Sequence, residues 1–389
     1  MNTGRMVFSQ LMDFLPLHEF RKCVERYGGD HRLRTFSCLD QFYCMGFAQL
    51  TFRESLRDIE TCLGALPVKL YHMGIRNRVR RSTLADANEH RDWRIYADFA
   101  HLLINIARPL YADEDFGLRL KRAVYIFDST TVDLCLSLFP WAIFRRRKGA
   151  IKLHTLMDMR GHIPCFVAIS HGKVHDVQAL DALVLEPGAT YVMDRGYCDF
   201  LRLFRFTQEG AFFVTRAHRN LDFSRQSSRP VDKSTGLRCD QTITLEGSKT
   251  SHRYPLPLRR IAYVDALTQK RFVFLTNDFR LAPLTIAQLY RCRWDVEIFF
   301  KWIKQYLRIK AFFGTSINAV KTQIWIAISI YVLLAIAKKR LDLPHDLAQI
   351  LQIVSVTIFE KSPIFEVFSH QNVTSGTMRN CNQLQLFDF

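Results

Sequence analysis

Three acidic side chains stand where this chain could do phosphoryl chemistry. Asp128 follows the apolar run Ala123–Phe127 and Asp194 follows Thr190–Met193. Both runs have strand length, and ligands bind at the carboxyl ends of strands in an open α/β sheet. The third acid, Glu297, lies in a pattern of Tyr290, Arg293, Glu297, Lys301 and Lys304 at offsets 0, 3, 7, 11 and 14. On one helix these five would project within an arc of about 80°. Val296, Phe299, Phe300, Ile303 and Leu307 would form a separate apolar stripe for packing. Three converging carboxylates would make an oxygen-ligand site for Mg²⁺. Two such ions about 4 Å apart can activate an attacking hydroxyl and stabilise the leaving oxygen of a phosphodiester. Each feature also has an ordinary reading. Glu297 and Lys301 fit a surface i,i+4 pair, and Asp is a common turn residue at strand ends.

Those residues need a scaffold. From Val7 to about Leu110 the apolar spacing is helical, which predicts an all-helical N-terminal domain over 1–115. Thr51–Cys62 and Ser82–Ile95 read as helices within it. The second has Ser82 and Thr83 as caps and is preceded by a loop with Arg76, Arg78, Arg80 and Arg81, compatible with helix-turn-helix DNA binding. From Lys121 the period changes. Ala123–Phe127 reads as a strand, Ile151–Asp158 and His162–Ser170 as a hairpin, Asp176–Leu185 as a helix and Thr190–Met193 as a strand. Phe200–Thr207 then reads as a helix and Ala211–Thr215 as a strand. This order describes an α/β fold, a mixed sheet with flanking helices, over 116–216 and 281–310. Residues 217–280 read as a β-rich insertion and 311–389 as a helical C-terminal region ending in a polar, loosely ordered tail.

Composition narrows the function. The 389 residues carry 54 Lys and Arg against 37 Asp and Glu, a net charge of +17, and are 48% hydrophobic. That excludes disordered, collagen-like and membrane classes. The most apolar stretch, Ile324–Ala337, falls short of the roughly twenty residues a bilayer needs and reads as a buried core helix. Met1–Leu15 has no apolar run of signal-peptide length. Ten scattered cysteines without a C-x-x-C pair read as reduced thiols of a cytosolic protein. The charge surplus is densest in residues 101–280, at +9, and includes the run Arg145, Arg146, Arg147, Lys148. A solvated face is the plain explanation of such a run; a polyanionic partner, nucleic acid before membrane, is the functional one. His154, His162, His171 and His175 lack the paired cysteines of a zinc site. Trp294 and Trp302 suit core packing better than stacking on a flipped base.

The spacing of Tyr290, Arg293, Glu297 and Lys304 resembles the Y-R-E-K signature of bacterial insertion-sequence transposases of the insertion-sequence-four type. Asp128 in Phe-Asp-Ser-Thr and Asp194 in Met-Asp-Arg-Gly-Tyr are similar to that family's first and second acidic blocks, and the similarity spans roughly residues 6 to 340. The resemblance implies a ribonuclease-H-like core interrupted by the β-rich insertion. It implies a D-D-E site in which Asp128, Asp194 and Glu297 hold two Mg²⁺ ions, with Mn²⁺ able to substitute. Tyr290, Arg293, Lys301 and Lys304 would then hold DNA phosphates, with Arg145, Arg146, Arg147 and Lys148 adding to the DNA path. The implied partners are double-stranded DNA, both terminal inverted repeats and target, and a second copy of the chain in the DNA complex; no membrane is implied. The implied activity is cut-and-paste excision and integration in the bacterial cytoplasm at the nucleoid. Two rival readings are a ribonuclease-H-like nuclease that cuts without joining and an inactive or domesticated relative that only binds DNA.

Overall fold

The computed structural model describes residues 4–369 apart from 34, 119, 121, 146, 147 and 306–311. Among these, ten strands join in one sheet: β1 (Val124–Leu134), β2 (Ile143–Arg145), β3 (Lys148–Asp158), β4 (Ile163–His171), β5 (Thr190–Met193), β6 (Phe212–Arg216), β7 (Phe223–Arg229), β8 (Leu237–Leu245), β9 (Leu258–Val264) and β10 (Arg271–Thr276). The strand order is β2-β3-β1-β5-β6-β10-β9-β8-β7, with β4 paired to β3. Strands β1, β5 and β6 are parallel, while β3 is antiparallel to both β1 and β4. The sub-order β4-β3-β1-β5-β6 is the ribonuclease-H-like arrangement expected. Strands β7 to β10 extend the same sheet, because β10 pairs with β6.

The alternation within β1 explains its unbroken apolar run. Val124 and Ile126 face a large core shared with the N- and C-terminal helices, whereas Tyr125 and Phe127 face a second core under the helix Phe200–Gln208. A strand covered on both faces needs apolar side chains at every position. At the hairpin between β3 and β4, Gly161 has φ +70°, and a Cβ there would meet the Tyr111 ring at 2.0 Å. Only glycine lets that turn close against the ring.

Among the described residues seven helices precede the sheet: α1 (Val7–Met12), α2 (Leu17–Arg26), α3 (Cys38–Leu50), α4 (Leu56–Gly64), α5 (Pro67–His72), α6 (Arg81–His90) and α7 (Arg94–Leu110). Then follow α8 (Phe200–Gln208), α9 (Ser248–Arg253), α10 (Pro283–Arg291), α11 (Trp294–Gln305), α12 (Ile317–Arg340), α13 (Leu347–Thr357) and α14 (Ile364–Ser369). Helix α12 is apolar around its whole circumference and buried without interruption from Thr322 to Ala337 by α3, α6, α7 and α13. The N- and C-terminal helices therefore share one core.

Several expected boundaries move. Helix α4 starts after Ser55, whose hydroxyl accepts from the Asp58 N–H, and α6 starts at Arg81, before Ser82 and Thr83, with no side-chain cap. The stretch 82–95 is two helices, α6 and the start of α7. The segment Asp176–Ala182 is a 3₁₀ helix. Helix α12 has 24 residues, long and apolar enough to cross a bilayer, so length does not argue against a membrane; burial of 94% of its apolar window within the fold does. The polar tail beyond residue 369 lies outside the described residues.

Candidate active site

Strand register brings the first two acids together. The parallel pairing of β1 with β5 ends at Phe127 opposite Met193, so Asp128 and Asp194 are the next step on neighbouring strands, about 4.8 Å apart in backbone spacing. By alternation both project to the face of Ile126 and Val192, the face covered by α10 and α11. Asp128 was expected at a strand end. Instead β1 continues six residues further, to Leu134, held by β3 alone. The acid sits where parallel pairing stops and the sheet opens.

The helix expected to carry the whole signature is broken. Helix α10 ends at Arg291 and α11 begins at Trp294, with the Arg293 N–H donating to the Tyr290 carbonyl at 3.2 Å across the turn. Tyr290 thus lies on α10, Arg293 in the turn, and Glu297, Lys301 and Lys304 on α11. The turn aims Tyr290 and Arg293 at the acids. The Tyr290 hydroxyl donates to Asp194 Oδ1 at 2.8 Å. The Arg293 guanidinium spans Asp128 Oδ2 at 2.8 Å and Glu297 Oε1 at 2.9 Å. Lys304 Nζ donates to the Thr131 carbonyl at 2.8 Å, tying α11 to β1, while Lys301 is exposed.

The two strand acids titrate differently. Burial pushes the Asp128 carboxyl up to about 6, outweighing the Ser129 N–H and Arg293. Burial also acts on Asp194, but the Arg195 N–H, the Tyr290 hydroxyl and the charges of Arg293 and Arg216 together hold it below the usual carboxylate range. Arg216 was not singled out from the sequence. It occupies the position on β6 equivalent to Asp194 on β5, since Val214 pairs with Val192. The signal was available: it is a charged residue ending a third apolar run of strand length.

Other expected residues fall elsewhere. Arg145 and Lys148 pair across the exposed β2–β3 turn, and Arg146 and Arg147 lie outside the described residues. Lys148 is seven residues along β3 from Thr155, the partner of Asp128, or about 23 Å at ~3.3 Å per residue, so Lys148 is not part of the acidic site. Trp302 packs on Tyr331 in the core, as expected, with ring centroids 4.7 Å apart. Trp294 departs from the core reading: it is 56% exposed, with the Arg293 guanidinium 5.0 Å from its ring. It borders an open groove of about 860 Å³ that also touches Tyr263, Phe272, Arg216, Lys270 and Arg291.

The donor chemistry at the site suits a hard divalent cation, because all three acids offer oxygen. The spacing suits an arginine. Among the described residues no three His, Cys, Asp or Glu side chains stand close enough to share an ion.

The sheet thus runs in ribonuclease-H-like order, with an aspartate at the end of parallel pairing on each of two neighbouring strands and a glutamate on the covering helix. Residues 119–333 match the family model described as a transposase DDE domain, and the chain belongs to that family. Residues 3–76 match a family described only as a domain of unknown function (DUF4372). A putative transposase, y4zB, of Sinorhizobium fredii is 32% identical over 285 residues, 72% of this chain and 78% of that one. A probable transposase for insertion sequence element IS5377 of Geobacillus stearothermophilus is 32% identical over 218 residues, 56% of this chain and 57% of the relative. A putative transposase for insertion sequence element IS4SA of Synechocystis sp. is 21% identical over 256 residues, 65% and 70%. Among solved structures, the piggyBac transposase synaptic complex with hairpin DNA aligns over 97% of this chain and 84% of that one, with TM-score 0.49 and 10% identity. The chain is a DNA transposase, an enzyme of DNA cleavage and strand transfer, and the DNA-binding-only alternative is not favoured.

Proposed function

We propose that this transposase excises and integrates an insertion sequence by cut-and-paste, with Asp128, Asp194 and Glu297 as its catalytic carboxylates and two Mg²⁺ ions, replaceable by Mn²⁺, as cofactor. One observation carries the assignment: Asp128 and Asp194 share a sheet face, and Arg293 joins Asp128 to Glu297 above it. Bound there, divalent ions would supply activation of the attacking hydroxyl and stabilisation of the leaving oxygen. The chain itself positions the reactants. Asp128 is anchored mid-strand opposite Thr155 of β3, and Glu297 rides on a helix tied to that strand through Lys304.

Tyr290, Arg293, Lys301 and Lys304 hold end phosphates in this reading, Arg293 as a two-armed clamp and the lysines as point charges. Trp294, exposed beside the groove, stacks on an unpaired base of the cut end. The helical domain 1–115 grips the terminal inverted repeats, aided by the exposed Arg76, Arg78, Arg80 and Arg81. The catalytic core is 116–216 with 281–310, the insertion 217–280 extends it, and 311–389 forms the C-terminal region. Two copies act on paired ends in the bacterial cytoplasm, at the nucleoid.

The test is Mg²⁺-dependent processing of a duplex carrying the repeat that flanks the gene. Wild type should give both nicked and strand-transfer products, and Asp128→Asn, Asp194→Asn and Glu297→Gln should give neither. Mutants that cleave as fast as wild type would overturn the site. Cleavage without joined products would favour the nuclease reading.

A further inference from the structure

Two of the residues expected to hold phosphates, Tyr290 and Arg293, are engaged with the acids. Tyr290 is bonded to Asp194, and Arg293 bridges Asp128 and Glu297. Arg293 is nearly enclosed, with 10% of its side chain exposed, and among the described residues its buried Nε meets no acceptor. The guanidinium therefore has a donor to spare while its two arms occupy catalytic carboxylates. Its nitrogens hold those oxygens at 2.8 and 2.9 Å. Mg²⁺ needs oxygens at about 2.1 Å in octahedral array, so a cation is already seated between Asp128 and Glu297 with the wrong radius for the metal.

We infer that Arg293 is a positioning residue that makes metal loading depend on DNA. Without DNA its guanidinium substitutes for the divalent ion and neutralises Asp128 and Glu297, two carboxylates that would otherwise repel across a partly buried gap. A phosphate entering the site offers the fork two oxygens in bidentate geometry. Transfer of the guanidinium to that phosphate frees both carboxylates and lets them close to metal distance. No bond is made or broken; the acids exchange an internal cation for an external one. The arrangement keeps the site from holding a cleavage-competent ion until an end is present. Coupling of this kind is reciprocal, so the ion must strengthen end binding by the factor by which the end strengthens ion binding.

This inference rests on the catalytic assignment above, and the experiment separates the two. Mn²⁺ binding to the full chain is measured by electron paramagnetic resonance with and without the terminal-repeat duplex, alongside circular dichroism to verify folding. Wild type should bind Mn²⁺ at least about tenfold more tightly with DNA than without it. Arg293→Ala should bind Mn²⁺ about tenfold more tightly than wild type when DNA is absent, with the DNA effect reduced towards none. Arg293→Lys keeps the charge without the fork and should fall between. If DNA leaves the wild-type affinity unchanged, the inference is wrong, and that arm needs no variant to fold. It is equally wrong if folded Arg293→Ala binds Mn²⁺ no more tightly than wild type without DNA. If Asp128→Asn and Glu297→Gln retain full Mn²⁺ binding, the catalytic assignment itself fails.

Discussion

The Tyr290 hydroxyl donates a 2.8 Å hydrogen bond to Asp194 Oδ1, so an aromatic residue ahead of the helix break holds the second strand acid in its ionised form. That places the first signature residue in the preparation of the site as well as in any contact with DNA.

Tyr290→Phe keeps the buried ring and removes this donor. The Asp194 carboxyl, now below its ordinary value, should rise. A depressed carboxyl stabilises the fold above its unfolded value near 4 and loses that contribution as pH falls through the lower, folded value. The variant should therefore lose about 1 kcal/mol at neutral pH and show less additional loss below pH 4. Urea unfolding at pH 7 and at pH 3 checks both, and equal pH dependence in the two proteins would contradict the assignment.

Asp128 gives the opposite slope. Its folded carboxyl titrates near 6, above the unfolded value, so the folded state retains a proton that the unfolded chain releases near pH 4. Its contribution to stability is largest at low pH and declines as pH rises from about 4 to about 6, by up to about 3 kcal/mol in metal-free protein. Asp128→Asn should flatten that decline. Added Mg²⁺ should restore stability above pH 6 in wild type only, as read by thermal unfolding across pH 4.5–7.

How much of this was legible beforehand depends on the range of the forces involved. The run Val124–Phe127, the β3–β4 hairpin and the acids at 128 and 194 follow from residue order alone, because burial on both faces demands a continuous apolar run. The extension of β1 through Ser129–Leu134 does not, since those residues become a strand by pairing with β3, whose nearest contributing residue is 15 positions away at Gly149. The break at Cys292–Arg293 carries neither glycine nor proline. Its periodic pattern reads as one helix, and only the tertiary pull of the acids on Tyr290 and Arg293 distinguishes two. The signature spacing picks out Tyr290, Arg293 and Glu297, which the fold gathers beside Asp128 and Asp194, but not whom each touches.

The insertion is fastened by a buried ion pair. Arg259 Nε and one terminal nitrogen donate to Asp240 at 2.8 and 2.7 Å, and its other nitrogen reaches the carbonyls of Asp278 and Leu281, the segment that feeds α10. Both side chains are almost wholly buried, at 2% and 3% exposure. Asp240→Ala leaves an unpaired buried guanidinium and should cost about 3–5 kcal/mol. Asp240→Ala with Arg259→Met removes both charges and should recover much of that loss, as read by thermal midpoints.

The β2–β3 turn offers a test that leaves chemistry and binding separable. Arg145 and Lys148 are exposed there, and Lys148 lies about 23 Å along the strand from the position paired with Asp128. If they serve DNA, they serve through phosphate charge alone. Arg145→Ala with Lys148→Ala should then weaken binding equally for repeat and unrelated duplexes and reduce the slope of log affinity against log salt by about 2. Mn²⁺ affinity and cleavage at saturating DNA should stay unchanged, because no side chain of the acidic site is altered. A loss confined to the repeat duplex would mean that the turn reads sequence, and an unchanged salt slope would mean that this basic run is a solvated face.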